Sequence, residues 1–115
     1  MNTIKIKRIY EDPSKNTGYR ILIDRVWPRG VSKEDAKLDA WKKDIAPSNK
    51  LRKWFDHDPR KFDEFTKNYC MELDDKKEDL IEIRKKAKDQ AVTLLYGAKD
   101  TVHHQAVVLQ NVLKE

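Results

Sequence analysis

The sequence predicts an α/β fold in which a small, largely parallel sheet of about three strands is sandwiched between helices. Short apolar runs typical of strands occur near both ends of the chain, at residues 3–10, 19–26 and 92–96. The segments between and after them carry apolar residues at three- and four-residue spacing, which is typical of amphipathic helices. Strands separated by helical segments favour parallel pairing, because parallel neighbours need a crossover connection.

The three predicted strands differ in their patterns. From Ile4 to Lys7 isoleucine and lysine alternate, as in a half-buried strand at a sheet edge. Residues 11–18 are rich in turn-forming types and predict a surface loop. Residues 21–23 are a continuous apolar run, which indicates a central strand covered on both faces. Residues 92–96 repeat that pattern, and Gly97 ends the run.

Capping residues predict where the helices begin. Ser32 followed by Asp35 has the form of a capping box and predicts a short helix reaching Leu38. Ser48 is placed to cap a second helix. Asp58 precedes Pro59, which suits the first position of a third helix because its missing amide costs nothing there.

The last helix carries one apolar stripe. Its members recur at helical spacing and are Val102, Ala106, Leu109 and Leu113. A cap at Asp100 or Thr101 fits this stripe.

Size, charge and cysteine content limit the classes of function. One hundred and fifteen residues suit a single domain, residues 1–115, and a net charge of +5 makes anionic partners plausible. The single cysteine, Cys70, cannot form an internal disulfide, and the opening residues lack the apolar core of a signal peptide or a membrane span. We therefore expect a cytoplasmic protein that does not bind membranes; its oligomeric state stays open.

The loop after the second strand is the densest candidate site. Within residues 24–30 it holds a carboxylate (Asp24), two guanidiniums (Arg25 and Arg29) and an indole (Trp27). The arginines can clamp a phosphate or carboxylate, Trp27 can stack on a planar ligand, and Asp24 can orient an arginine or act as a base. The alternative is a structural Asp24–Arg25 network with Trp27 as core filling, and the sequence does not decide between the two.

The loop after the last strand is the second candidate. Tyr96, Lys99 and Asp100 precede two histidines, His103 and His104, in a segment that runs into a helix amino terminus, where free amides favour an anion. Either histidine can act as general acid or base, and Asp100 can fix its tautomer. The alternative is that Asp100 only caps the helix and the histidines serve the fold.

Other kinds of site receive no support from the sequence. Adjacent histidines on a helix point about 100° apart, so they do not share one metal simply, and we expect no metal site. Glycine-rich phosphate loops and paired CxxC motifs are absent, and the sequence identifies no cofactor. Basic residues are interleaved with acidic ones, so we do not expect specific nucleic-acid binding.

Three strings in the chain resemble the YeaO-like family of bacterial proteins of unknown function. They are DRVWPRG at 24–30, LRKWFDHDP at 51–59, and VTLLY at 92–96, followed by AVVL at 106–109. The resemblance covers nearly the whole chain and implies a small α/β protein without an established activity.

The chain departs from the family's wider relatives at the start of the last helix. Those relatives typically show a Cys-His-Arg triplet, whereas this chain has His103, His104 and Gln105. The asparagine that often follows the histidine in closer relatives is also missing. These departures argue against thiol chemistry at this loop.

These observations support two hypotheses of function. The first is an enzyme or binding protein for a small anionic ligand, with Arg25, Trp27 and Arg29 meeting Asp24 and a histidine at the carboxyl ends of the strands. The alternative is a non-enzymatic module that binds nucleic acid or a protein partner. Whether the protein is an enzyme stays open.

Overall fold

The structure is a computed structural model that describes residues 4–11 and 18–114; most of the predicted 11–18 loop lies outside them. The strands are β1 (Ile4–Arg8), β2 (Tyr19–Leu22), β3 (Ala40–Trp41) and β4 (Val92–Tyr96). The helices are α1 (Lys33–Ala36), α2 (Asn49–Phe55), α3 (Phe62–Leu73), α4 (Lys77–Asp89) and α5 (Gln105–Lys114), with 3₁₀ turns at Lys43–Ile45, Pro59–Lys61 and Asp74–Lys76.

The predicted α/β fold with a small parallel sheet is confirmed, with one more strand than expected. The strand order is β1-β4-β2-β3 and every described pairing is parallel. The additional strand β3 has two residues, too few to show a period in the sequence. The strands β1 and β2 are shorter than the predicted ranges 3–10 and 19–26, whereas β4 matches 92–96.

The two faces of the sheet carry unequal layers. Ile21 and Leu94 face one side and pack against the buried sides of α2, α3, α4 and α5. Leu22 and Leu95 face the other side, because successive strand residues alternate, and they pack against Ala36 of α1. The thick layer therefore lies on one face, and a single helical turn with its loops covers the other.

The three predicted helix starts are confirmed. Ser32 Oγ accepts from the amide of Asp35 at 2.9 Å, although α1 ends at Ala36 rather than near Leu38. Ser48 Oγ accepts from the amide of Leu51 at 3.1 Å. An Asp58 carboxylate oxygen caps the 3₁₀ turn that leads into α3.

The predicted start of the last helix is wrong. Helix α5 begins at Gln105, and Val102 is 59% exposed instead of belonging to the buried stripe. The carboxylate of Asp100 accepts from the amides of Val102 and His103, so it closes a turn before the helix. This local turn replaces the helical turn that the apolar spacing suggests.

Candidate functional site

The two predicted loops meet at one edge of the sheet. Strands β2 and β4 are parallel neighbours, so their carboxyl ends lie side by side. Asp24 joins the loops: its Oδ2 accepts from the amide of Gly97 at 2.8 Å and its Oδ1 from Nε2 of Gln105 at 2.5 Å. A Cβ added at Gly97 would lie 2.8 Å from Asp24 Oδ2, so a larger residue there would force the carboxylate to shift.

A cavity of about 330 Å³ opens beside Asp24. Its lining residues come from both loops, from the segment before α2, and from α2 and α3. They are Tyr10, Asp24, Arg25, Val26, Trp27, Pro28, Arg29, Pro47, Arg52, Phe55, His57, Phe65, Gly97, Ala98, His104 and Gln105.

Burial shifts the titration of Asp24 towards neutral pH. Loss of hydration raises the pKa of this carboxyl to about 6. The hydrogen bonds from Gly97 and Gln105 and the charge of Arg52 act in the opposite direction but do not outweigh burial. Asp24 therefore exchanges protons close to neutral pH, in contrast to an exposed aspartate.

The arginines of the first loop have different environments. Arg25 donates from Nε to the carbonyl of Pro47 at 3.0 Å and from Nη2 to that of Ala46 at 3.1 Å. Arg25 does not pair with Asp24, so that part of the structural alternative is wrong, although each side chain holds other segments through its own hydrogen bonds. The guanidinium of Arg29 is exposed and has no hydrogen bond to the part of the chain that the structure describes.

Trp27 forms part of the wall of the cavity. Its indole Nε1 donates to the carbonyl of Val31 at 2.7 Å, and its ring meets Trp41 edge to face at 5.2 Å. The half-buried indole is therefore fixed, with its donor already used.

The second loop contributes one of its two histidines to the cavity. His104 is buried and stacks on Tyr96 at 3.7 Å. Its Nε2 donates to the carbonyl of Thr101 and its Nδ1 accepts from the amide of Ala106, so the ring is held neutral. Burial also lowers the pKa of His104.

The remaining predicted residues of that loop do not line the cavity. His103 Nδ1 contacts Asp100 Oδ2 at 2.9 Å, which fixes this histidine as the sequence suggested, and its ring meets Phe62 edge to face. The bonds from His103 and Val102 hold the pKa of Asp100 at about 2. Tyr96 lies behind His104, and Lys99 is exposed outside the lining.

Sequence reasoning missed several residues of the cavity. Arg52 and Phe55 lie on α2, and His57 follows a left-handed residue, Asp56, that ends this helix. Nothing in the local sequence indicates that α2 reaches this edge of the sheet. Gln105 directly follows His103 and His104, and this was the signal in the sequence that could have placed it at the site.

Comparison with known proteins gives a consistent assignment. A family model described as the inactive DUF488-N3 subclade matches residues 3–115. The chain is 41% identical over 111 residues to the uncharacterized protein YeaO of Escherichia coli (strain K12), covering 96% of each chain. The chain belongs to the YeaO-like family.

Another relative in the YeaO-like family is an uncharacterized protein of Mycobacterium tuberculosis (strain ATCC 25618 / H37Rv). It is 39% identical over 110 residues, which cover 96% of this chain and 92% of the relative. No solved structure matches the chain. Among the described residues, no helix is long and apolar enough to cross a membrane, and no three potential ligands come together around a metal position.

Proposed function

We propose that the protein binds a small anionic ligand in the cavity at the carboxyl ends of β2 and β4. One observation carries the proposal: Arg29 and Arg52 line the same cavity, and neither forms a salt bridge within residues 4–11 and 18–114. Arginine at such a position offers a planar fork of donors to phosphate or carboxylate oxygens. The single cysteine suits a reducing compartment, and we propose the cytoplasm as the location.

Each side chain has a distinct role in this proposal. Arg29 and Arg52 hold the anion, while Trp27 forms a rigid wall beside it. Asp24 positions the second loop through Gly97 and Gln105, and its pKa of about 6 makes it the group of this site that exchanges a proton near neutral pH.

The family description and the residues of the second loop argue against thiol-dependent catalysis. The matching subclade is described as inactive. In this chain His103 stands where the wider relatives have cysteine, and its ring pairs with Asp100 outside the cavity. Asp24 and His104 remain the candidates for proton transfer at the cavity, and His104 already uses both ring nitrogens.

Thermal unfolding in the presence of simple anions tests the proposal. Phosphate at ten times its dissociation constant is expected to raise the melting temperature by about 4–6 °C. Chloride at equal ionic strength is the control, and the double variant Arg29→Gln, Arg52→Gln should lose the effect. If neither phosphate, sulfate nor citrate stabilises the wild type beyond the chloride control, the anion site does not exist.

The alternative of a nucleic-acid-binding module makes a separate prediction. We expect only weak, non-specific binding to duplex DNA. If several phosphates are contacted, affinity should fall by roughly three to five decades between 50 and 200 mM salt. Fluorescence anisotropy with two unrelated duplexes measures this. Selective binding of one duplex at about 150 mM salt would rank the alternative above the small-ligand site.

A further inference from the structure

Most polar groups that line the cavity are already bonded within the protein. Both carboxylate oxygens of Asp24 accept hydrogen bonds, and Arg25 donates to two backbone carbonyls. Both ring nitrogens of His104 are also used. Arg52 donates from Nη2 to Oδ1 of Asn49 at 3.3 Å, and its other guanidinium donors have no bond within the described residues. The guanidiniums of Arg29 and Arg52 are therefore the main charged donors left for a ligand. A ligand rich in hydroxyl or amide groups would find few partners here, and most of its polar groups would stay unpaired.

The number and charge of the arginines favour a phosphoryl group over a carboxylate. A carboxylate has two oxygens and is matched by one guanidinium fork, whereas a phosphate monoester presents three terminal oxygens and can meet two forks. Three arginines (Arg25, Arg29 and Arg52) and one carboxylate (Asp24) line the cavity, which leaves a surplus of two positive charges when Asp24 is ionised. A phosphate monoester carries about −1.5 to −2 at neutral pH and balances this surplus.

The rest of the cavity wall is largely aromatic and apolar. Tyr10, Val26, Trp27, Phe55 and Phe65 all line it. The donor of Trp27 is used by Val31, so the indole offers a ligand only its ring. A volume of about 330 Å³ lies at the small end of ligand pockets, which suits one ring with its substituents.

We infer that the ligand is a phosphate monoester with a compact aromatic body, its phosphoryl oxygens on Arg29 and Arg52 and its ring against the apolar wall. This inference rests on the proposed anion site and narrows its ligand. The proposed binding is non-covalent, and no covalent bond of the ligand or the protein forms or breaks.

Isothermal titration calorimetry with phenyl phosphate, inorganic phosphate and benzoate tests the inference. Phenyl phosphate should bind about tenfold more tightly than either of the others, because it alone combines both recognised parts. If inorganic phosphate or benzoate binds as tightly as phenyl phosphate, the inference is wrong while the anion site stands. If none of the three binds, the inference is wrong. The anion site then stands only if sulfate or citrate stabilises the wild type in the thermal unfolding test.

Two pairs of variants separate the two halves of the ligand. Arg52→Gln should weaken phenyl phosphate and inorganic phosphate alike, by about tenfold, because a charged fork is lost. Lys53→Gln makes the same charge change on the next residue of α2, outside the lining, and should not change either affinity.

Val26→Ser probes the apolar wall. Val26 is 55% exposed, so the fold should tolerate the change. The variant should weaken phenyl phosphate several-fold and leave inorganic phosphate unchanged, whereas Val102→Ser, at a similarly exposed valine outside the cavity, should affect neither. Equal losses for both ligands in Val26→Ser would show that the ring does not lie against this wall and would overturn the inference.

Discussion

Replacing Asp24 by asparagine is expected to stabilise the protein above pH 6 and to change little near pH 4. Burial raises the pKa of Asp24 from 3.8 to about 6, so between these values the folded protein binds more protons than the unfolded chain. Stability therefore falls as pH rises through this window. Above pH 6 the ionised carboxyl lowers the free energy of unfolding by about 2 kcal/mol, after allowance for its partial contact with solvent.

Asparagine removes this cost and can keep both contacts of Asp24. Its oxygen can accept from the amide of Gly97, and its NH₂ group can donate to Gln105 once that side-chain amide rotates. Melting curves from pH 4 to pH 8 measure the effect. The melting temperature of the variant should exceed that of the wild type by about 6–10 °C at pH 8. If the variant were less stable than the wild type by the same amount at pH 4 and pH 8, the ionised carboxyl of Asp24 would not be destabilising.

Two further variants are controls for this experiment. Asp24→Leu leaves the Gly97 amide and Gln105 without their partner and should be less stable than asparagine at every pH. Asp100 has the opposite shift, since its hydrogen bonds lower its pKa to about 2. Asp100→Asn should therefore lose stability at pH 8, and the loss should shrink as pH falls through about 4 towards 2.

Replacing Arg25 by methionine is expected to cost about 2–3 kcal/mol of unfolding free energy, whereas Arg29→Met should stay within about 0.5 kcal/mol. Arg25 bonds the carbonyls of Ala46 and Pro47, two buried residues, and methionine keeps the aliphatic stem but no donor. Arg29 is exposed and makes no such bond within the described ranges.

The expected loss at Arg25 depends on the segment that it holds. Tyr69 donates to the carbonyl of Ile45, and Glu72 accepts from the amide and hydroxyl of Ser48, so residues 45–48 are anchored from α3 as well. The variant should therefore fold, and urea unfolding measures the difference. Equal losses at Arg25 and Arg29 would show that both arginines have the same structural role.

The sequence predicts features that depend on local chemistry. Continuous apolar residues indicate the central strands, and Ser32, Ser48 and Asp58 mark helix starts because each side chain bonds an amide two or three residues away. The position of the candidate site follows as well, since parallel neighbours end at one edge. Val102 was misplaced because the turn at Asp100 competes with the helix for the same amides.

Long-range contacts explain what the sequence could not predict. Arg52 reaches the cavity because α2 packs beside the ends of β2 and β4, and neither its neighbours nor its spacing indicate this. The acceptors of Arg25 are backbone carbonyls more than twenty residues away, a choice that side-chain identity does not determine. The sequence therefore indicates which side chains lie near the site more clearly than which residues they contact.

The central place of β4 has a consequence for synthesis of the chain. Strand β4 lies between β1 and β2 in the sheet but is the last strand to leave the ribosome. Strand β1 therefore cannot pair until residues almost ninety positions further along have been synthesised. Pairing over such separations is slow, and emerging β1 and β2 expose unpaired apolar edges meanwhile. A nascent chain stalled before Val92 is expected to require chaperones and to aggregate when released, whereas one extended past Lys114 completes the sheet.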